Sequence, residues 1–183
     1  SPIVAALGVL DDYSVAITSG LKRAGSVVVL TGAREPRLGA SQLRHALTGE
    51  TGGQLPTLDF ERERRRTYAV LDAVRQGLVL ACHDIAEGGL AIAAFEMALG
   101  GFASQGLGLQ MPISSLGGSA SEVRLYSEAP GFLMEVRKEL LPRLMDHFGK
   151  CEVDATITGR VLDEPRFRVL DGKGELGFIA STS

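Results

Sequence analysis

Tryptophan is absent from these 183 residues, and aromatic side chains make up only 5% of them. A core must therefore rest on Leu, Val, Ile and Ala, and a hydrophobic content of 45% is enough to build one, which argues against disorder. There are only two cysteines, Cys82 and Cys151, far apart and outside any CxxC or zinc-type spacing. A disulfide framework is thereby excluded, and both are expected as reduced, mostly buried thiols. A formal charge of −3 leaves no electropositive footprint, so nucleic acid is excluded as a partner class. Long apolar runs are missing too: the stretch Ile3 to Leu10 is stopped by Asp11-Asp12 and falls far short of the roughly 20 residues that span a bilayer. His45, His83 and His147 never cluster, and the first and last are expected in solvated or capping roles.

The chain opens on Ser1-Pro2-Ile3, with no Met and no basic segment before the apolar run. We expect a piece of a longer protein, folding as a single domain over 1–183. Its first twenty residues should form an incoming strand or linker. A domain of this size buries roughly 70% of its unfolded surface and needs no disulfide or metal to hold it.

Along the chain, Val27 to Leu30 is a β-branched run closed by Thr31-Gly32, suited to a strand buried on both faces. Gly32 to Gly39 reads as a loop, after which Ser41 can cap a short helix carrying Leu43, Ala46 and Leu47. Gly49 to Pro56 is a polar, Gly-rich surface loop. Asp59 should cap a long helix whose apolar stripe is Thr67, Val70, Leu71 and Val74, ended by Gly77. The run Glu61-Arg62-Glu63-Arg64-Arg65-Arg66 on its first turns alternates in sign, and i, i+4 pairing on a solvated face accounts for it.

Leu78 to Cys82 predicts a buried strand, followed by a helix from Gly89 to Leu99 that is apolar nearly all round and broken by Gly100-Gly101. Strands are expected at Leu107 to Met111 and Gly131 to Val136, then a helix from Lys138 to Phe148. Three closing strands follow at Cys151 to Val161, Phe167 to Leu170 and Leu176 to Ile179, the last two joined at Asp171-Gly172-Lys173-Gly174. Helices and strands alternate early and strands cluster late. The expected class is α/β (α+β layered), a mixed β-sheet packed against helices.

Chemistry concentrates between that second strand and its helix, at His83, Asp84, Glu87, Gly88 and Gly89. Open α/β sheets bind ligands at the carboxyl ends of their strands. The glycines allow close approach, the helix N-terminus favours an anion, and Asp84 offers a hard oxygen to magnesium. A plainer reading is equally open from spacing alone: His83 bonded within the core, with Asp84 and Glu87 capping the helix.

His83-Asp84-Ile85-Ala86-Glu87-Gly88-Gly89-Leu90-Ala91, with Glu96 behind it, resembles the HD-[IV]-[SA]-[ED]-GGLA…E signature of the aminoimidazole-ribonucleotide-synthase-like superfamily. Within it the chain is most similar to the C-terminal half of the phosphoribosylformylglycinamidine synthase family. Leu38 to Leu43 resembles that family's GGSxL stretch, Pro56 to Asp59 its P-x-[LIV]-D, Leu125-Tyr126-Ser127-Glu128 its L-[FY]-SE turn, and Asp154 to Val161 its late I-G-x-V strand.

The resemblance implies a fold like the C-terminal domain of aminoimidazole ribonucleotide synthase. It also implies a parent ligase, using ATP and magnesium, that converts formylglycinamide ribonucleotide and glutamine-derived ammonia to the amidine in purine biosynthesis. The N-terminal ATP-site domains would carry the catalytic groups, leaving no catalytic residue in this chain and no tightly bound cofactor. Partners would be those domains and a glutaminase, in the cytoplasm, with no membrane. His83, Asp84, Glu87, Gly88, Gly89, Ser127 and Glu128 become candidates for the edge of a substrate or nucleotide site, with Asp84 the metal candidate.

The departures point the same way. Where the family's substrate-binding half continues Ser-Glu-(Ser/Thr)-Gln-x-Arg, this chain has Ser127-Glu128-Ala129-Pro130-Gly131. Proline replaces the Gln and no Arg follows, so the chain reads as the second, decayed copy of two homologous halves. Two alternatives stand: a docking module without nucleotide binding, and another superfamily member of the hydrogenase-maturation or thiamine-phosphate kinase type.

Overall fold

The computed structural model describes residues 5–10, 12–116, 120–172 and 174–180, with backbone alone at 102, 104 and 177–180. Seven strands form one sheet: β1 Val27–Thr31, β2 Ala81–Asp84, β3 Gly108–Pro112, β4 Phe132–Val136, β5 Ala155–Leu162, β6 Arg166–Asp171 and β7 Gly174–Ala180. Their order across the sheet is β2-β4-β1-β5-β3-β6-β7. Only β3 and β6 run parallel; the other five neighbouring pairs are antiparallel. The sheet is therefore mixed, as expected.

The helices are α1 Gln42–Thr48, α2 Phe60–Arg75, α3 Gly89–Gln105, α4 Ser121–Tyr126 and α5 Leu141–Lys150. Strand alternation sorts side chains to two faces. Val28, Leu30 and Leu133 join the core under α3 with Leu90, Ala94, Met97 and Leu109. Val29, Met134 and Val136 pack on the other face with Val70, Ala73, Leu144 and Phe148 of α2 and α5. The result is a three-layer arrangement with helices on both faces. Among the described residues, no helix is long and apolar enough to cross a membrane.

Several expectations are corrected. Of the strand and the linker expected for the first twenty residues, the strand is not found at 5–10, which lie open, Leu7 being 99% exposed, and 1–4 fall outside the described residues. The second strand begins at Ala81 rather than Leu78 and sits at the sheet edge, so His83 and Asp84 belong to the strand itself. Gly100-Gly101 does not break α3, which continues to Gln105. A Cβ on Gly100 would come 2.7 Å from the Gly20 Cα, so this glycine serves close approach of two backbones. Gly106, at φ +66°, supplies the actual stop.

The buried stripe of α2 is Arg66, Ala69, Val70 and Ala73, rotated from the predicted one, and it takes an arginine out of the solvated face. The fourth predicted helix divides into a 3-10 turn at Lys138–Leu140 and α5, which has Pro142 in its first turn, where its missing N–H costs nothing. α4 was not expected. Ser41 and Asp59 cap α1 and α2 as read from sequence, their side chains accepting from Arg44 N and from Glu61 N and Arg62 N.

Candidate functional site

β2 delivers His83 and Asp84 at the sheet edge, and α3 begins five residues beyond Asp84. The His83 Nδ1 lies 2.7 Å from the Asp84 carbonyl oxygen, and Nε2 lies 3.0 Å from Glu96 Oε2 on α3. The imidazole thus spans strand and helix and is bonded as in the plainer reading, but at a partly exposed sheet edge rather than within the core. The other half of that reading fails: neither Asp84 nor Glu87 caps α3. Both lie open to solvent, the Asp84 side chain 67% exposed.

Glu128 meets the helix start instead. Its Oε1 accepts from Gly88 N at 2.8 Å and from Gln42 N, the first residue of α1, also at 2.8 Å. One carboxylate oxygen therefore ties the Gly-Gly turn to a helix from a different part of the chain. Charge-assisted bonds of this kind are the stronger ones. Gly89, at φ +67°, presses on the same turn: a Cβ there would stand 2.8 Å from the Leu125 carbonyl oxygen and 2.9 Å from that of Ser127. The structure thus brings Gly88, Gly89, Ser127 and Glu128 together. His83, Asp84 and Glu87 flank them on the solvent side.

Ser127 is 0% exposed, and its Oγ has no hydrogen-bond partner among the described residues. Two arginines that sequence reasoning missed hold this turn from beneath. Arg34 Nη1 donates to Ser127 O at 3.1 Å, and Nη2 donates to Ala129 O at 2.9 Å and reaches Pro130 O at 3.5 Å. Arg66 Nη1 donates to Pro130 O at 3.3 Å and pairs with Glu63. Burial, helped by the Arg66 charge, pulls the Arg34 guanidinium down to about 10, which still leaves it charged at neutral pH. A cation does reach the turn that lacks its motif arginine; its terminal nitrogens bond carbonyls, and its buried Nε has no partner among the described residues. Arg66 was visible in principle, since it stands at i−3, i−4 and i−7 from Ala69, Val70 and Ala73. Arg34 carries no comparable signal.

Among the described residues no group of three His, Cys, Asp or Glu could hold a metal ion. Magnesium is commonly held by one or two carboxylates with phosphates and water. Asp84 suits an edge ligand of that sort, and the described residues do not complete a site. A cleft of about 280 Å³ lined by Leu30, Gly32, Ala33, Arg34, Ser115, Leu116, Asp154 and Thr156 meets this region through Arg34 and Gly32. That is below the roughly 300–1,000 Å³ of a typical ligand pocket, and none of the seven candidate residues lines it. Cys82 and Cys151 are free and half-buried, and burial pushes the Cys82 thiol up to about 12, which makes it inert.

The family described as AIR synthase related protein, C-terminal domain, matches residues 23–172. The chain is 40% identical over 136 residues to phosphoribosylformylglycinamidine synthase subunit PurL of Methanothrix thermoacetophila, covering 74% of this chain and 17% of that protein. It is 34% identical over 183 residues to the subunit of the same name from Moorella thermoacetica, covering 99% of this chain and 21% of that one. Among solved structures, T. maritima PurL complexed with FGAR superposes with a TM-score of 0.70 at 19% identity, over 91% of this chain and 29% of that chain. The E. coli hydrogenase maturation protein HypE shares the fold at a TM-score of 0.56 and 17% identity, over 88% of this chain and 50% of that one. At such identities the superpositions speak for the fold alone.

Proposed function

This chain belongs to the family of AIR synthase related protein C-terminal domains, and from that premise we propose that it is the C-terminal domain of a phosphoribosylformylglycinamidine synthase. The observation that carries this is the sequence match of 33–40% identity to three PurL subunits over 74–99% of the chain. The chain spans only 17–22% of the length of those relatives. The parent's activity is accordingly part of the proposal.

The reaction is an ATP-dependent C–N ligation. ATP activates the amide oxygen of formylglycinamide ribonucleotide, and glutamine-derived ammonia displaces phosphate. Domains outside residues 1–183 supply the catalytic groups and most contacts to ATP and magnesium, with residues 1–20 as the connection from an N-terminal ATP-site domain. A glutaminase subunit or domain delivers the ammonia, and the assembly works in the cytoplasm. This chain contributes a scaffold and one rim, with His83, Asp84 and Glu87 on its solvent side and Gly88, Gly89, Ser127 and Glu128 behind them, and Asp84 would offer magnesium one oxygen.

The decayed-copy reading has specific support. Ser127 Oγ is sealed from solvent, and Glu128 Oε1 is committed to two backbone amides. These observations equally suit a domain that docks without binding nucleotide. Calorimetric titration of the domain with ATP–Mg and with formylglycinamide ribonucleotide tests this, the expected result being no binding of the ribonucleotide at micromolar concentrations. Micromolar binding would overturn the decayed copy. Synthase activity in the parent protein, assayed as ribonucleotide-dependent phosphate release, tests the family function; its absence with intact partners would sink it.

A further inference from the structure

We propose that Arg34 is a positioning residue: by gripping the backbone on both sides of Glu128, it sets the carboxylate that joins the Gly-Gly turn to α1. Arg34 is 8% exposed, and its terminal nitrogens reach only carbonyl oxygens, those of Ser127, Ala129 and Pro130. The first two residues flank Glu128 directly. No carboxylate pairs with this guanidinium within salt-bridge distance among the described residues. The nearest anionic influences, Glu35 and Glu63, act through space.

Burying a guanidinium without a paired carboxylate is costly, and an apolar side chain of similar volume would fill the site more cheaply. What an apolar chain cannot do is fix the direction of successive carbonyls, which a planar fork of donors does. Fixing Ser127 O and Ala129 O leaves the Glu128 backbone little freedom. Its side chain then reaches Gly88 and Gln42 from one defined position. Arg66 adds a second hold on Pro130 from α2. The line of contact runs from Arg34 through the turn to Glu128, and on to both the start of α3 and the first residue of α1. Through α1 it reaches the loop that closes on Gly39 and Ala40, whose amides donate to Gln54 O and Gly52 O.

The tests are Arg34→Met and Arg34→Lys in the parent protein, read by amide hydrogen exchange at Gly88 and Gln42 against the β1 and β4 amides. Arg34→Met should speed exchange at Gly88 and Gln42 about 3- to 10-fold, the worth of roughly one hydrogen bond, with β1 and β4 unchanged. Arg34→Lys keeps the charge and one donor direction, and should fall between. Unchanged exchange at Gly88 and Gln42 in both variants overturns the proposal, as does a uniform rise that includes the core strands. Should Arg34→Met not fold, the Lys variant decides alone by the same criterion.

The functional consequence rests on the synthase reading. There, the turn belongs to a copy that binds no ribonucleotide, so Arg34→Lys should leave KM for the ribonucleotide unchanged, and a several-fold rise would show that this copy is not decayed. Local exchange changes in a parent protein that shows no synthase activity would leave the positioning role intact and refute the reading of function.

Discussion

Glu128 Oε1 lies 2.8 Å from the Gly88 amide nitrogen, forty residues away in sequence, and the same oxygen holds the Gln42 amide on its other side. Gly88 is buried and Gln42 is exposed, so the two bonds are unequal in consequence. Without the carboxylate, the Gln42 amide is open to water, whereas the Gly88 amide, in a part-buried bond, is less readily solvated. A buried donor left unsatisfied costs about 1–3 kcal/mol. Glu128→Ala should therefore lose about 2 kcal/mol in urea unfolding, while Glu128→Gln, which keeps an acceptor oxygen, should lose less than about 1 kcal/mol. Equal losses in the two variants would show that charge, rather than the shared oxygen, makes the link.

Gly89 and Gly106 provide a matched pair. Both sit near φ +67°, at +67° and +66°. A Cβ on Gly106 meets nothing within 4 Å, whereas one on Gly89 meets backbone atoms of 125–127 at 2.8–2.9 Å. Gly106→Ala should cost about 1–2 kcal/mol from the left-handed backbone alone. Gly89→Ala must in addition push the turn before Glu128 aside, and should cost at least about 3 kcal/mol in total. Thermal unfolding of the two variants measures the difference. If Gly89→Ala loses no more than Gly106→Ala, the turn yields freely.

The parts of this fold legible in sequence are those set by local rules. Ser41 and Asp59 are read as caps because an oxygen-bearing side chain before a helical stripe has one obvious use. The β-branched run at Val27 is a strand wherever it sits. Gly100 is misread because a helical glycine that breaks and one that admits a neighbouring backbone look alike until Gly20 is placed against it. The candidate site is half legible for the same reason. Its glycines and Ser127-Glu128 announce themselves as motifs, but that Glu128 serves two helices, and that Arg34 holds it, depends on bringing four segments together.

Glu135 offers a test through pH. It lies at 0% exposure in β4, its two oxygens accepting from Lys22 N at 2.7 Å and Arg23 N at 2.9 Å. Burial raises its pKa above 4.5 despite those bonds. With the folded value above the unfolded one, the native state holds more protons in the window just above 4.5. Its contribution is fully present below 4.5 and is lost as pH rises through the folded value. The stability of the unsubstituted protein minus that of Glu135→Gln should therefore fall as pH increases from about 4.5. The variant should still be less stable at low pH, since an amide cannot accept from both backbone donors. A difference that is flat or rising across that range would contradict the sign.

Asp84 is the residue on which the metal idea stands. At 67% side-chain exposure, it lies beside His83, whose Nδ1 is 3.5 Å from Oδ1. Replacing a carboxylate so open should change domain stability by no more than about 0.5 kcal/mol. Any larger effect of Asp84→Asn on the parent protein must then come through function. An edge ligand to magnesium predicts a several-fold rise in the magnesium concentration needed for half-maximal synthase rate, with the rate at saturating magnesium largely restored. Neighbouring Glu87, also exposed and three residues along, is the control: if Asp84→Asn and Glu87→Gln leave the magnesium dependence equally unmoved, this rim carries no metal ligand. If Glu87→Gln alone shifts it, the ligand is Glu87, and the strand end at Asp84 is shape rather than chemistry.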